Sequence, residues 1–229
     1  MTVAGRVVPL AVVRSPRARR LRLAVDPHGR GLRLTVPGRA ALAPALAWVD
    51  TQHPWIEAAL GRAVPPVALG PGIELPFEGR PLIINWREDA GRLVRIEGDR
   101  LVVGGPRDLA GAGVLRWLKA QAKTRLEAET REAAARAGVT VGRVRIGDAR
   151  TRWGSCSSAG DIAYNWRLVL APPDVRLATV AHEVAHRLHM DHSPAFHAAV
   201  FRLFGRDPKA ERAWLRANGA SLHAIGRDG

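Results

Sequence analysis

His182-Glu183-Val184-Ala185-His186 places two imidazoles and one carboxylate in an H-E-x-x-H pattern. On an α-helix, positions i and i+4 lie about 40° apart in azimuth and roughly 6 Å apart along the axis. Two imidazoles so spaced can converge on one Zn²⁺. Glu183, next to the first of them, then sits beside the ion without needing to bind it. There it can take a proton from metal-held water. With 8 His in the chain, chance supplies on the order of 0.01 such patterns. The plainer reading is two solvated His on an amphipathic helix. It conflicts with Val180, Ala181, Val184, Ala185 and Leu188, which surround the triplet with apolar residues. A helix apolar nearly all round is a buried one, and buried His and Glu need partners.

A catalytic zinc site takes three protein ligands and keeps one open position. His189, His192 and His197 are the candidates for the third ligand. His189 shares the face of His182 but lies about 10 Å further along a straight helix. Met190-Asp191 reads as the helix exit, and Ser193-Pro194 as the cap and first residue of the next helix. The chain therefore turns near His192, which favours that imidazole. His189 ranks second and His197 third.

Arg150-Thr151-Arg152-Trp153-Gly154-Ser155-Cys156-Ser157-Ser158 precedes this helix, with Asn165-Trp166-Arg167-Leu168-Val169-Leu170-Ala171-Pro172 between them. Together with H-E-V-A-H and His192-Ser193, these segments resemble the YgjP-like metallopeptidase family, which is related to the SprT-like and M48-type zincins. The resemblance covers about residues 107–217. It implies an α+β, zincin-like catalytic domain, zinc ligands at His182, His186 and His192, and Glu183 as general base. The chain departs from the family pattern at His197, where an aromatic residue, usually Trp, is expected after Phe196.

Gly154, Gly160 and the serines around Cys156 mark a turn between strand-like runs at 144–146 and 161–170. The second run reads as a strand leading directly into the metal helix. In a zincin-like arrangement it borders the cleft, where an edge strand can take an extended peptide. Arg150 and Arg152 are candidates to clamp a carboxylate or peptide carbonyl. Tyr164 and Asn165 complete the candidate substrate contacts, Tyr164 as an oxyanion donor, although packing is the more ordinary role for a lone tyrosine. Cys156 is the only cysteine. No intramolecular disulfide is possible, and a nucleophile role lacks a free base partner.

The 229 residues are enough for one large domain or two small ones. The apolar stretches are too short to span a bilayer, and no signal peptide is evident. A cytoplasmic location is the expectation for a chain with one cysteine. The formal net charge of +14 invites a nucleic-acid partner beside the expected peptide or protein substrate. However, all but three of the 35 basic residues are arginine. In a chain rich in Ala, Gly and Pro, that skew can follow from genome composition.

The elements that must hold the site are coarsely legible. Residues 1–38 show short strands with turns at Pro27-His28-Gly29 and Pro37-Gly38. Residues 40–62 read as helix with Trp48, Trp55, Ile56 and Leu60 at core spacing and a break at Pro54. Short strands follow at 82–86, 93–96 and 101–103, then a long helix over 108–137 stopped by Gly138. The expected division is a β-rich region, 1–105, and the catalytic domain, 106–229. The expected activity is zinc-dependent peptide hydrolysis. The alternatives are a zinc amidase acting on a small molecule and a nucleic-acid-associated module with a structural zinc.

Overall fold

In the computed structural model, which describes residues 1–3, 5–25 and 31–227, the chain divides into two units, 1–66 and 67–228. The first contains a short hairpin, β1 (Thr2–Val3) and β2 (Arg6–Val7), and a three-stranded sheet. In that sheet β5 (Leu32–Pro37) lies between β3 (Leu10–Ser15), which is parallel to it, and β4 (Arg22–Val25), which is antiparallel. Leu32, Leu34 and Val36 alternate onto the buried face of β5 and pack with Ala45, Val49 and Ile56. These last come from α1 (Leu42–Asp50) and α2 (His53–Gly61). Pro54 stands in the first turn of α2, and the chain breaks into two helices there, as its position leads one to expect. Trp55 is 43% exposed rather than in the core. The turn expected at Pro27-His28-Gly29 lies outside the described residues.

The second unit contains every candidate metal ligand. Its four-stranded sheet is ordered β6-β7-β9-β8, with β6 at Glu74–Phe77, β7 at Arg80–Trp86, β8 at Arg95–Glu97 and β9 at Arg100–Val103. The long helix α3 spans Ala110–Ala137 after a 3₁₀ turn at Arg107–Leu109. It ends at Gly138, whose φ of 65° is the left-handed conformation glycine adopts freely. Val114, Leu118, Ala122 and Leu126, one turn apart, bury one face of α3.

The boundary expected at residue 106 does not separate two bodies here. Leu75, Ile84 and Leu101 of the four-stranded sheet share one core with α3, Tyr164 and Val184. The buried face of that sheet packs against the long helix.

A second sheet is ordered β10-β12-β11, from β10 (Val144–Gly147), β11 (Gly154–Cys156) and β12 (Ile162–Asn165). β10 runs parallel to β12, and β11 antiparallel. This corrects two expectations. The run at 161–170 is a strand only to Asn165, and that strand is central. The edges are β10 and β11, and β11 lies inside the segment expected to be a turn. Beyond Asn165 the chain enters a 3₁₀ turn at Trp166–Val169, where the Asn165 side chain accepts from Arg167 N. Arg167 is fully buried, ion-paired with Asp148 and donating through Nε to Ile225 O at 2.9 Å. Burying that cation with its partners folds the backbone out of the sheet.

Three helices complete the unit: α4 (Pro173–Ala185), α5 (Pro194–Phe204) and α6 (Lys209–Ala224). α4 is tied to α3 by Arg176, whose Nε and Nη2 donate to Glu129 Oε1 at 2.9 and 2.8 Å. Among the described residues, no helix is long and apolar enough to cross a membrane.

Candidate metal centre

α4 begins at Pro173, whose missing N–H costs nothing in a first turn. It is buried on most sides by Val175, Ala178, Val180, Ala181, Val184 and Ala185. His182 and Glu183 lie in its last turn, and His186 caps it. The helix therefore ends earlier than the expected exit at Met190-Asp191. The chain continues through turns held by Arg187 N and His189 N, which donate to Val184 O at 2.9 Å and Ala185 O at 3.0 Å. It then passes His192 and starts α5 at Pro194, with Ser193 as N-cap; Phe196 N donates to Ser193 Oγ at 3.4 Å.

This path brings His192 back over α4. The ligating nitrogens of His182, His186 and His192 lie within 4.8 Å of one another. His192 Nε2 and His182 Nε2 are 3.3 Å apart. Two ligands each about 2.0–2.1 Å from a tetrahedral zinc are roughly 3.3 Å apart, so this spacing suits one shared ion. His186 Nδ1 lies 3.1 Å from His189 O. A proton on Nδ1 satisfies that carbonyl and leaves the Nε2 lone pair for a metal. His189 thus contributes its backbone, not its ring. His197 is exposed on α5 and is not in the cluster.

Phe196 lies fully buried beneath all three imidazoles, its centroid 4.9 Å from His182, 4.5 Å from His186 and 4.8 Å from His192. The packing expected of an aromatic at 197 is supplied one residue earlier. Phe196 had a sequence signal, an aromatic four residues after His192, but nothing marked its role. The apolar surroundings favour the uncharged forms of His182 and His186. Burial, with smaller repulsions from His186, His192 and Arg212, lowers the His182 pKa to about 4. Burial likewise lowers that of His186. Both stay neutral, as ligands must, at physiological pH.

Glu183 is 5% exposed and is pushed by burial up to about 7, with Arg152 pulling weakly the other way. Its carboxylate rests against the edge strand. A Cβ added at Gly154 would lie 2.6 Å from Glu183 Cγ and 2.7 Å from Cδ. Gly154 is therefore needed for close approach, not only for a turn, a role the sequence did not reveal. His182 and Glu183 also line a cavity of about 260 Å³.

Among the other candidates, Arg152 is exposed near Glu183 and borders an open depression along β11, while Arg150 is exposed at the preceding bend. Tyr164 is 2% exposed, and its hydroxyl lies 3.0 Å from Thr130 Oγ1, inside the core rather than in the cleft. The Asn165 side chain donates to Ala149 O at 2.7 Å and caps the following turn. Both are occupied in holding the sheet. Cys156 lies on β11 and is not part of the histidine cluster.

A family model described as YgjP-like, metallopeptidase domain, matches residues 19–218. The chain belongs to the YgjP-like metallopeptidase family. The match starts well before the motif-bearing segment and reaches into the first unit. No curated protein and no solved structure gives a match. Metallopeptidases act on peptides or proteins with a divalent metal, usually zinc. The three converging imidazoles of this YgjP-like chain, with His182 and His192 at the spacing of two ligands on one ion, fit that metal.

Proposed function

We propose that this chain is a zinc-dependent peptidase of zincin-like fold, with His182, His186 and His192 holding the ion and Glu183 as general base. The observation that carries the reading is the buried carboxylate of Glu183, next in the chain to His182 and lining the same cavity, together with three converging imidazoles. When bound, zinc supplies Lewis-acid chemistry at the carbonyl and makes water more acidic. Glu183 takes the proton of the attacking water and delivers it to the departing amine. Burial makes the Glu183 carboxylate a stronger base than an exposed one, which suits it to accept and then return that proton. Phe196 keeps the three rings packed and excludes water from behind them. The edge strand β11 offers unpaired backbone groups to an extended peptide. In this reading Arg152, which lines the depression along the same edge, donates to a substrate carbonyl.

Two features favour this reading over a structural zinc. Among the described residues the ligand cluster stops at three, whereas a structural site is closed by four. The buried carboxylate is also costly to keep unless it works. Glu183→Gln preserves size and hydrogen bonding but removes the base. The variant is expected to fold, retain zinc and lose hydrolysis of an unfolded-protein pool by about 10²-fold or more. A variant as active as wild type would overturn the mechanism. Activity on small amides but never on the protein pool would instead favour an amidase.

A further inference from the structure

The 260 Å³ cavity beside the metal centre is lined mainly by apolar groups. Val175 and Ala178 project from α4, Val200 from α5 and Leu215 from α6, and the Trp153 indole closes one side. Val175, Ala178 and His182 follow one another at helical spacing, so one stripe of α4 runs from the cavity to the metal ligand. His182 and Glu183 are themselves part of the wall. Whatever occupies the cavity therefore sits directly beside the reacting bond.

The cavity is built to persist. Trp153 stacks on His223 with centroids 4.6 Å apart, and Gly219 leaves room for its edge, since a Cβ there would come within 3.2 Å of Trp153 Cζ2. Glu211, also on the wall, is already ion-paired with Arg206. Arg212 adds a positive charge to the lining. Of the two acids on the wall, Glu183 is the proposed base and Glu211 is held by Arg206 through Oε1, while its buried Oε2 has no hydrogen-bond partner among the described residues. The rest of the surface offered to an occupant is mostly hydrocarbon. A water claims about 30 Å³, so the space admits a whole side chain. Apolar walls next to a polar reacting centre gain most from an apolar occupant.

We propose that this cavity receives a bulky apolar side chain flanking the scissile bond, so that the enzyme selects leucine- or phenylalanine-like residues at that position. The proposal rests on the peptidase reading above and adds its substrate class.

The test uses the full chain loaded with zinc and a set of blocked hexapeptides that differ at one central residue: Gly, Leu, Phe, Asp or Lys. Mass spectrometry locates the cut. The Leu and Phe peptides should be cut next to the varied residue about 10- to 100-fold faster than the Gly peptide, the span expected from burying one such side chain. Ala178→Leu fills the cavity from α4 and should bring the Leu-to-Gly ratio toward one with zinc content unchanged. Leu215→Ala widens the cavity and should shift preference from Leu toward Phe. Rates independent of the central residue, or an unaltered ratio in both variants, would overturn the proposal. Calorimetric binding of the same peptides to zinc-loaded Glu183→Gln gives a second readout. Tighter binding of the Leu and Phe peptides supports the pocket, and equal binding overturns it. Absence of any cleavage by wild type would count against the peptidase reading alone, since the binding comparison still decides the pocket.

Discussion

Glu183 and His182 are neighbours whose pKa values are moved in opposite directions by the same burial. In metal-free protein Glu183 titrates near 7 and His182 near 4. Glu183, raised from 4.5, contributes stability that is full below about pH 4.5 and lost as pH rises through 7. His182, lowered from 6.5, works the other way: its contribution is full above pH 6.5 and lost as pH falls through 4. Between about pH 4.5 and 6.5 the two oppose each other. Urea unfolding of metal-free wild type should therefore change little over that window on their account, whereas Glu183→Gln should gain stability steadily with pH. Parallel profiles would refute the burial of Glu183. A second comparison concerns the third ligand. His192→Ala should weaken zinc affinity by well over the 10- to 100-fold typical of an outer-shell change. His189→Ala should change it little, because His189 meets His186 through its carbonyl oxygen. A larger loss at His189 in a chelator-competition titration would overturn the assignment.

At the scale of elements, the site depends on how β11 meets α4. Gly154 lets the edge strand press against Glu183, so Gly154→Ala must move one of them. We expect hydrolysis to fall at least tenfold, with stability reduced by about 1–3 kcal/mol and zinc content unchanged because no histidine is touched. Full activity in a steady-state assay would show that this contact does not position the base. The motif helix, the cap at Ser193 and the stop at Gly138 were legible because each rests on local chemistry: helical spacing, a side-chain cap, a positive φ. The route after Asn165 was not. Residues 166–170 carry the apolar character of a strand, yet buried Arg167 finds Asp148 and Ile225 from distant parts of the chain and bends the backbone away. The edge position of β11 was hidden for the same reason, since strand order is set by partners far apart in sequence. Tyr164 and Asn165 carry polar groups that look available in a sequence. Their partners, Thr130 and Ala149, appear only in three dimensions.

On the scale of the whole molecule, the second unit holds the candidate ligands, the proposed base and the apolar cavity, while the family match extends into the first. The sequence boundary at residue 106 followed composition, because strands give way to helices there. The core instead joins strands and helices on both sides of it. The charge of +14 belongs to the entire chain and does not itself define a partner. The central claim, an open zinc centre built from three histidines, is most directly tested by zinc K-edge X-ray absorption on full-length protein loaded with one equivalent of zinc. The account predicts one ion per chain, three nitrogen ligands at about 2.0–2.1 Å, a further oxygen at similar distance and no sulfur. A sulfur at about 2.3 Å would bring Cys156 into the site and make it a closed structural centre. Failure to take up zinc at all would contradict the account outright.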